Sequence, residues 1–234
     1  EAADEKINEF ASEHSTRLRV TLAEGVSSWQ VYKALSEIKF LSGKLENIPD
    51  EGTIAPASYD FVIGMTKEAL IKKMQERQAS ILNEAWNARQ PNLPINTKQE
   101  ALILASIIEK ETSLKTERGK VSSVFVNRLL REIALQTDAS VVYGITRGKK
   151  ILGRGLRRSE LKKDTPWNTY VNKGLPPSPI GNPGKASIHA ALNPDITNYL
   201  YFVADGSGGH AFAENLREHN INVAKWRKIE KTDN

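Results

Sequence analysis

The sequence contains no cysteine, which excludes a disulfide framework, a thiolate metal site and a cysteine nucleophile. Nor does any stretch approach the ~20 apolar residues that a membrane-spanning helix needs. The first residues, Glu1 to Phe10, are acidic and amphipathic rather than signal-like. No GxSxG elbow, P-loop or Rossmann glycine fingerprint is present, which removes the common hydrolase, nucleotide and dinucleotide readings. His14, His189, His210 and His219 form no HExxH pattern, so neither a metal nor any other cofactor is expected. What is there is ordinary for a globular protein: 39% hydrophobic and 26% charged residues over 234 positions can bury one large core or two smaller ones. A formal charge of +5 suits an anionic partner. The basic residues are nevertheless dispersed, apart from Lys149, Lys150, Arg154, Arg157, Arg158, Lys162 and Lys163. That group reads most simply as solvated surface, and no nucleic-acid partner is expected.

Periodicity and turn residues give a coarse outline. Glu1 to His14 reads as a short polar helix, and Arg17 to Leu22 alternates as a strand does. Ser27 or Ser28 caps a helix through Val31 and Leu35, Tyr59 to Ile63 reads as a strand, and Thr66 caps a helix reaching Trp86. Gln90 to Pro94 breaks the chain before two apolar helices, Thr97 to Thr112 and Glu117 to Ile133. Around Val141, Val142 and Tyr143 the pattern is too short to choose between helix and strand. Thr165 to Lys185 carries too many prolines and glycines for regular structure, yet its interleaved Trp167, Tyr170, Leu175 and Ile180 predict an ordered loop. A brief helix at Ser187 to Leu192, a buried strand at Tyr199 to Val203, a glycine-rich turn before His210 and a final helix from Ala213 to Lys231 complete the outline. The predicted class is α+β, with an N-terminal unit over residues 1–56 and a larger helix-cored domain over residues 57–234.

One residue breaks the pattern. On a helical wheel starting at Leu102, Ile103, Ile107, Leu104 and Ile108 fall at roughly 100°, 140°, 200° and 240°. Glu111 lands at about 180°, inside this apolar stripe, whereas Glu109 at about 340° faces Ala105 and Ser106. A carboxylate among bulky apolar groups loses hydration, which raises its pKa toward the range of a general acid. A carboxylate in the last helical turn also opposes the macrodipole. The competing reading is a frayed helix end with Glu111 turned to solvent.

Around this acid the sequence offers uncharged polar groups, among them Gln136, Thr137, Asn168 and Asn182, together with prolines and aromatics, the inventory of a sugar site. Each has a structural reading too: Gln136 and Asp138 can cap a turn, Asn168 and Asn182 can brace the loop backbone, and His210 can fix the glycine-rich turn. The expected cleft lies between Glu111 and the Thr165 to Lys185 loop.

Taken in order, Glu109-Lys110-Glu111-Thr112, Gln136-Thr137-Asp138, Asn168-Thr169-Tyr170, Gly174-Leu175-Pro176-Pro177, Asn182-Pro183-Gly184, Tyr199-Leu200-Tyr201-Phe202-Val203 and Gly208-Gly209-His210-Ala211-Phe212 resemble the endolytic murein transglycosylases of the MltG/YceG family. The match runs from about Arg17 to His219; Glu51 to Tyr59 is a variant of the family's pattern there. The resemblance implies a bacterial peptidoglycan enzyme with a LysM-like N-terminal subdomain, held at the periplasmic face of the inner membrane by an anchor that this chain lacks. It implies glycan strands as substrate and cell-wall synthesis machinery as partners. By the same resemblance Glu111 is the single general acid and base. Thr112, Asn127, Gln136, Thr137, Asp138, Asn168, Tyr170, Pro177, Ile180, Asn182, Phe202, His210 and Phe212 are the expected substrate-binding residues. Three other readings stay open at this stage: a lysozyme-like hydrolase using Glu111 and Asp138, a non-catalytic glycan-binding module, and a polyanion binder using the basic group.

Overall fold

The computed structural model describes residues 17–232; the helix expected over Glu1 to His14 lies outside them. Strand β1 (Arg17–Thr21) pairs antiparallel with β2 (Ser58–Val62), setting Leu18 opposite Phe61 and Val20 opposite Tyr59. Between them runs helix α1 (Ser28–Glu37). It starts where it does because the Ser27 hydroxyl accepts the Gln30 N–H while the Gln30 side chain accepts the Ser27 N–H at 2.9 Å, a reciprocal cap. Val31 and Leu35 of this helix join Tyr59, Phe61, Leu70 and Met74 in a first apolar cluster.

Helix α2 (Lys67–Asn87) follows, capped by Thr66 as expected. Its 21 residues span about 30 Å, and its two halves serve different cores. Leu70, Ile71 and Met74 belong to the first cluster, whereas Leu82 and Ala85 belong to a second. The β1 and β2 pair spans the division expected after residue 56, and the two cores meet along α2. The stretch leading into β2 is packed: Ile54 and Ala55 are buried, and the buried Gln78 amide donates to Gly52 O and Pro183 O, each at 3.0 Å.

The second core is built on α3 (Lys98–Glu111). Thr97 accepts the Glu100 N–H at 3.1 Å and the Glu100 carboxylate accepts the Thr97 N–H at 3.2 Å, so the predicted cap forms. Ala101 through Ile108 are all buried, as befits a helix that is apolar on every side. Helices α2, α4 (Arg118–Leu130) and α7 (Lys185–Leu192) surround it. The ambiguous stretch around Val141 is helical, forming α5 (Asp138–Thr146), and α6 (Arg158–Leu161) is a single turn.

The last strand pair is β3 (Tyr201–Ala204) with β4 (His210–Ala213), Phe202 opposite Phe212. β3 begins two residues later than predicted and is only half-buried, because its outer face borders a cavity described below. Gly206 and Gly208, at φ of 87° and 89°, close the hairpin in a region that side chains with a Cβ avoid. Helix α8 (Leu216–Thr232) packs along β3. Among the described residues the sheets are two antiparallel pairs set against helices, which makes the fold α+β.

Candidate active site

Glu111 is the last residue of α3, and Thr112 leaves the helix in an extended conformation, φ −144° and ψ 134°. The side chain therefore emerges from the apolar helix into a cavity of about 550 Å³. One wall of that cavity is the start of α5. Gln136 there adopts a left-handed backbone, φ 52°, with its N–H on Thr169 O at 3.0 Å. This turn aims Thr137 at α3. Thr137 stands at the N-cap of α5 without capping it; its hydroxyl donates instead to Glu111 Oε1. The next residue, Asp138, accepts the Tyr170 hydroxyl at 2.6 Å.

The electrostatics of the pocket favour a proton on Glu111. Burial pushes its carboxyl above the usual range and the negative charge of Asp138 adds to the push, while the Thr137 hydroxyl and His210 oppose it. Tyr170 is pushed up as well, by burial first and by its bond to Asp138 second, so it remains a hydrogen-bond donor. His210 rests its Nδ1 on Glu117 at 2.7 Å and its backbone N–H on the same carboxylate at 2.9 Å. Because a carboxylate only accepts, the hydrogen sits on Nδ1. The arrangement amounts to a carboxyl of raised proton affinity in a partly apolar recess, with hydroxyl and carboxylate neighbours. It can donate a proton to a bound oxygen and later take one back.

Of the expected substrate-binding residues, Gln136, Thr137, Asp138, Tyr170 and Phe202 line the same cavity as Glu111. The others stand elsewhere. Asn168 is fully buried and donates to Leu161 O and Lys163 O at 3.0 and 2.7 Å, which pins the loop from inside. Asn182, also fully buried, accepts Ile54 N–H at 3.0 Å and donates to Val26 O at 3.0 Å, so it ties the two cores together. Both take the bracing role that their residue type allows. Asn127 donates to Thr197 O and Tyr199 O, each at 2.9 Å. Thr112 is buried and accepts the Leu114 N–H at 3.1 Å. Ile180 is buried with its N–H on Ser106 Oγ at 2.9 Å, and Pro177 is exposed outside the cavity. His210 and Phe212 stand behind Phe202, with ring centroids 5.2 and 6.1 Å from it.

The cleft also differs from the expected one in its far wall. Only Tyr170 of the long loop reaches the cavity; the opposite side is β3 and α8, through Tyr201, Phe202, Leu216 and His219. The loop's two buried amides are committed to backbone elsewhere, Asn168 to Leu161 and Lys163 and Asn182 to Val26 and Ile54. The cavity also contains Arg128 of α4, which the sequence reading passed over. A signal was available: on a wheel from Val121, Arg128 falls at about 340°, between Val124 at about 300° and Phe125 at about 40°. This is the same anomaly of a charge inside an apolar stripe that exposed Glu111. No comparable pattern marked His219. Among the described residues no cluster of three metal-binding side chains occurs.

Comparison with known proteins places the chain among relatives. The chain is 39% identical over 179 residues to an endolytic murein transglycosylase of Bacillus subtilis, a match covering 76% of this chain and 48% of the relative. It is 34% identical over 182 residues to an endolytic murein transglycosylase of Streptococcus pneumoniae, covering 75% of this chain and 32% of the relative. The chain thus spans about half the length, or less, of the curated relatives it matches. Among solved structures, a YceG-like protein from Listeria monocytogenes superposes with a TM-score of 0.69 at 28% identity, covering 87% of this chain and 75% of that one. The model of the YceG-like family matches residues 2–225, and the chain belongs to that family.

Proposed function

We propose that this chain is the cleaving part of a lytic transglycosylase acting on peptidoglycan strands, with Glu111 as its single acid and base. The observation that carries the reading is the environment of Glu111: a half-buried carboxyl with raised proton affinity, facing a cavity and bonded, among the described residues, to one hydroxyl. Glu111 protonates the glycosidic oxygen between N-acetylmuramic acid and N-acetylglucosamine, and the C–O bond breaks. As a carboxylate it then takes the proton of the muramoyl 6-hydroxyl, whose oxygen closes on the anomeric carbon. The products are a free 4-hydroxyl and a 1,6-anhydro end; no water is consumed and Glu111 recovers its proton. Positioned acid–base transfer of this kind is worth about 10²–10⁴-fold in rate. Asp138, held by the Tyr170 hydroxyl, raises the proton affinity of Glu111 and stays out of covalent chemistry, unlike the second carboxylate of a retaining hydrolase.

The names of the relatives support the substrate class, and the coverage of those relatives makes the activity of the whole protein part of the same proposal. We also infer that the unit gathered on β1, β2 and α1 is the LysM-like subdomain expected from the resemblance, and that the protein works at the extracytoplasmic face of the inner membrane beside cell-wall synthesis machinery. Among the described residues no helix is long and apolar enough to cross a membrane. Digestion of uncrosslinked glycan strands tests the proposal. Mass spectrometry should find anhydro-ended fragments. Fragments heavier by one water would identify a hydrolase using Asp138, and intact strands retained on the protein would identify a binding module.

A further inference from the structure

Two arginines are buried in this molecule, and only one has an acidic partner. Arg118 meets Glu109 at 3.0 Å and Glu24 at 3.2 Å. Arg128 is just 7% exposed, and among the described residues no Asp or Glu lies within ion-pairing distance of it. An arginine keeps its proton in proteins, so a full charge sits without an acidic partner in the wall of the cavity that holds Glu111, where it is costly to desolvate. Three of its five N–H groups go to backbone: Nε to Leu200 O at 2.6 Å, and Nη1 to Ala134 O and Leu135 O at 3.1 and 2.9 Å. These bonds fix the guanidinium and leave the Nη2 edge without a protein acceptor among the described residues.

A second polar group converges on the same place. The His219 ring lies against Tyr201, centroids 5.0 Å apart and planes at 24°, and the Arg128 guanidinium sits 5.1 Å from the centroid of that same tyrosine. His219 lines the cavity, and its Nδ1 is buried with no hydrogen-bond partner among the described residues. The two acids of the cavity, Glu111 and Asp138, belong to the wall formed by α3 and α5, whereas Arg128, Tyr201 and His219 come from α4, β3 and α8. The cavity is therefore lined by two acids and by one cation that has no acidic partner among the described residues.

The geometry points to a carboxylate-binding subsite formed by Arg128 Nη2 and His219, which holds an anionic substituent of the glycan strand while Glu111 reaches the sugar bond. The inference rests on the proposed activity, since peptidoglycan is a glycan whose every second sugar carries a lactyl side chain. That side chain ends in a carboxylate on a bare strand, or continues into a peptide stem that carries carboxylates of its own. Both sources present the same chemistry, a carboxylate for a guanidinium edge. A neutral glycan gives the buried charge no such partner.

Calorimetric binding to the Glu111→Gln protein tests this with three muramic-acid tetrasaccharides: stem peptide attached, bare lactyl carboxylate, and lactyl methylamide. A charge-assisted bond predicts that a carboxylate form binds about tenfold tighter than the methylamide; whichever acid form gains identifies the source. Arg128→Gln should abolish that preference. Because Arg128 also braces backbone, His219→Phe, which keeps the ring stack on Tyr201, serves as the second variant and should reduce it. Equal binding of all three forms, a preference that survives both substitutions, or no binding of any form overturns the subsite. Cleavage by the unsubstituted protein separates the two ideas. Cleavage with equal binding leaves the activity standing without the subsite, and a carboxylate preference without cleavage leaves the subsite without the activity.

Discussion

Glu109 and Glu111 close the same helix two residues apart, yet their surroundings assign them opposite tasks. Glu109 points toward the seam between the cores, where Oε1 meets the Arg118 guanidinium at 3.0 Å and Oε2 accepts the Gly184 N–H at 2.9 Å. Glu24 of the N-terminal unit reaches the same guanidinium at 3.2 Å, so the pair ties together four separated stretches of chain. Glu111, on the other face, has a hydroxyl for a partner and a carboxylate for a neighbour. Burial alone does not make a reactive acid. A cation within reach turns a buried carboxylate into a strut, and the lack of one leaves its proton available for chemistry.

Glu111→Gln is the sharpest test of this contrast. Gln keeps the shape and can still accept from Thr137, so the fold should survive while strand cleavage drops by at least about 10²-fold. Cleavage within tenfold of the unsubstituted protein would transfer the acid role to another group. Glu109→Gln should do the reverse. It leaves Arg118 buried beside only the half-exposed Glu24, and the urea unfolding midpoint should report a loss near the lower end of the ~3–5 kcal/mol seen when one partner of a buried pair is removed. Activity per folded molecule should change far less than for Glu111→Gln. A variant as stable as the original but inactive would reverse the two assignments.

The same contrast has a pH signature at Glu111, whose nearest ionisable influences are Asp138 and His210. Its folded-state pKa lies above the unfolded value of about 4.3, so the neutral form is the one the fold prefers. The resulting stabilisation is complete below the unfolded value and is lost as pH rises through the folded one. The stability of Glu111→Gln relative to the unsubstituted protein should therefore increase with pH across that window, as read from urea midpoints at acidic and mildly alkaline pH. A difference that shrinks with rising pH would mean that Glu111 is held as a carboxylate. Activity should fall along the same limb, because an acid that is already ionised has no proton to give.

How much of this was legible depended on whether the determinant was local. The Thr97 and Glu100 cap, the apolar stripe of α3 and the placement of Glu111 within it are properties of one helix, and each appears where the periodicity puts it. The loop over Thr165 to Lys185 was also legible as irregular yet structured, because Trp167, Leu175 and Ile180 pack against the second core. What escaped was non-local. Whether Asn168 turns inward to its own backbone or outward to a ligand is decided by tertiary packing, and residue type allows both. The far wall of the cavity comes from β3 and α8, beginning some 90 residues after Glu111, and no spacing rule connects them. The pairing of the first two strands is non-local in the same way: β2 lies beside β1 across 37 to 45 residues of intervening register, from Thr21 opposite Ser58 to Arg17 opposite Val62.

The smallest expected effect is the most discriminating for the proton on Glu111. Thr137→Val is nearly isosteric and removes the one hydroxyl that favours the ionised form of Glu111. Losing that bond should cost about 0.5–1.5 kcal/mol of stability. It should also move the alkaline limb of the kcat profile upward, since burial and the charge of Asp138 would act with less opposition. Thr137 lines the cavity as well, so the readout is the limb and not KM; lost substrate contact raises KM without displacing the limb. A limb that moves downward would show that the hydroxyl accepts a hydrogen bond from a protonated Glu111, in which case Thr137 holds the proton in place instead of drawing it off.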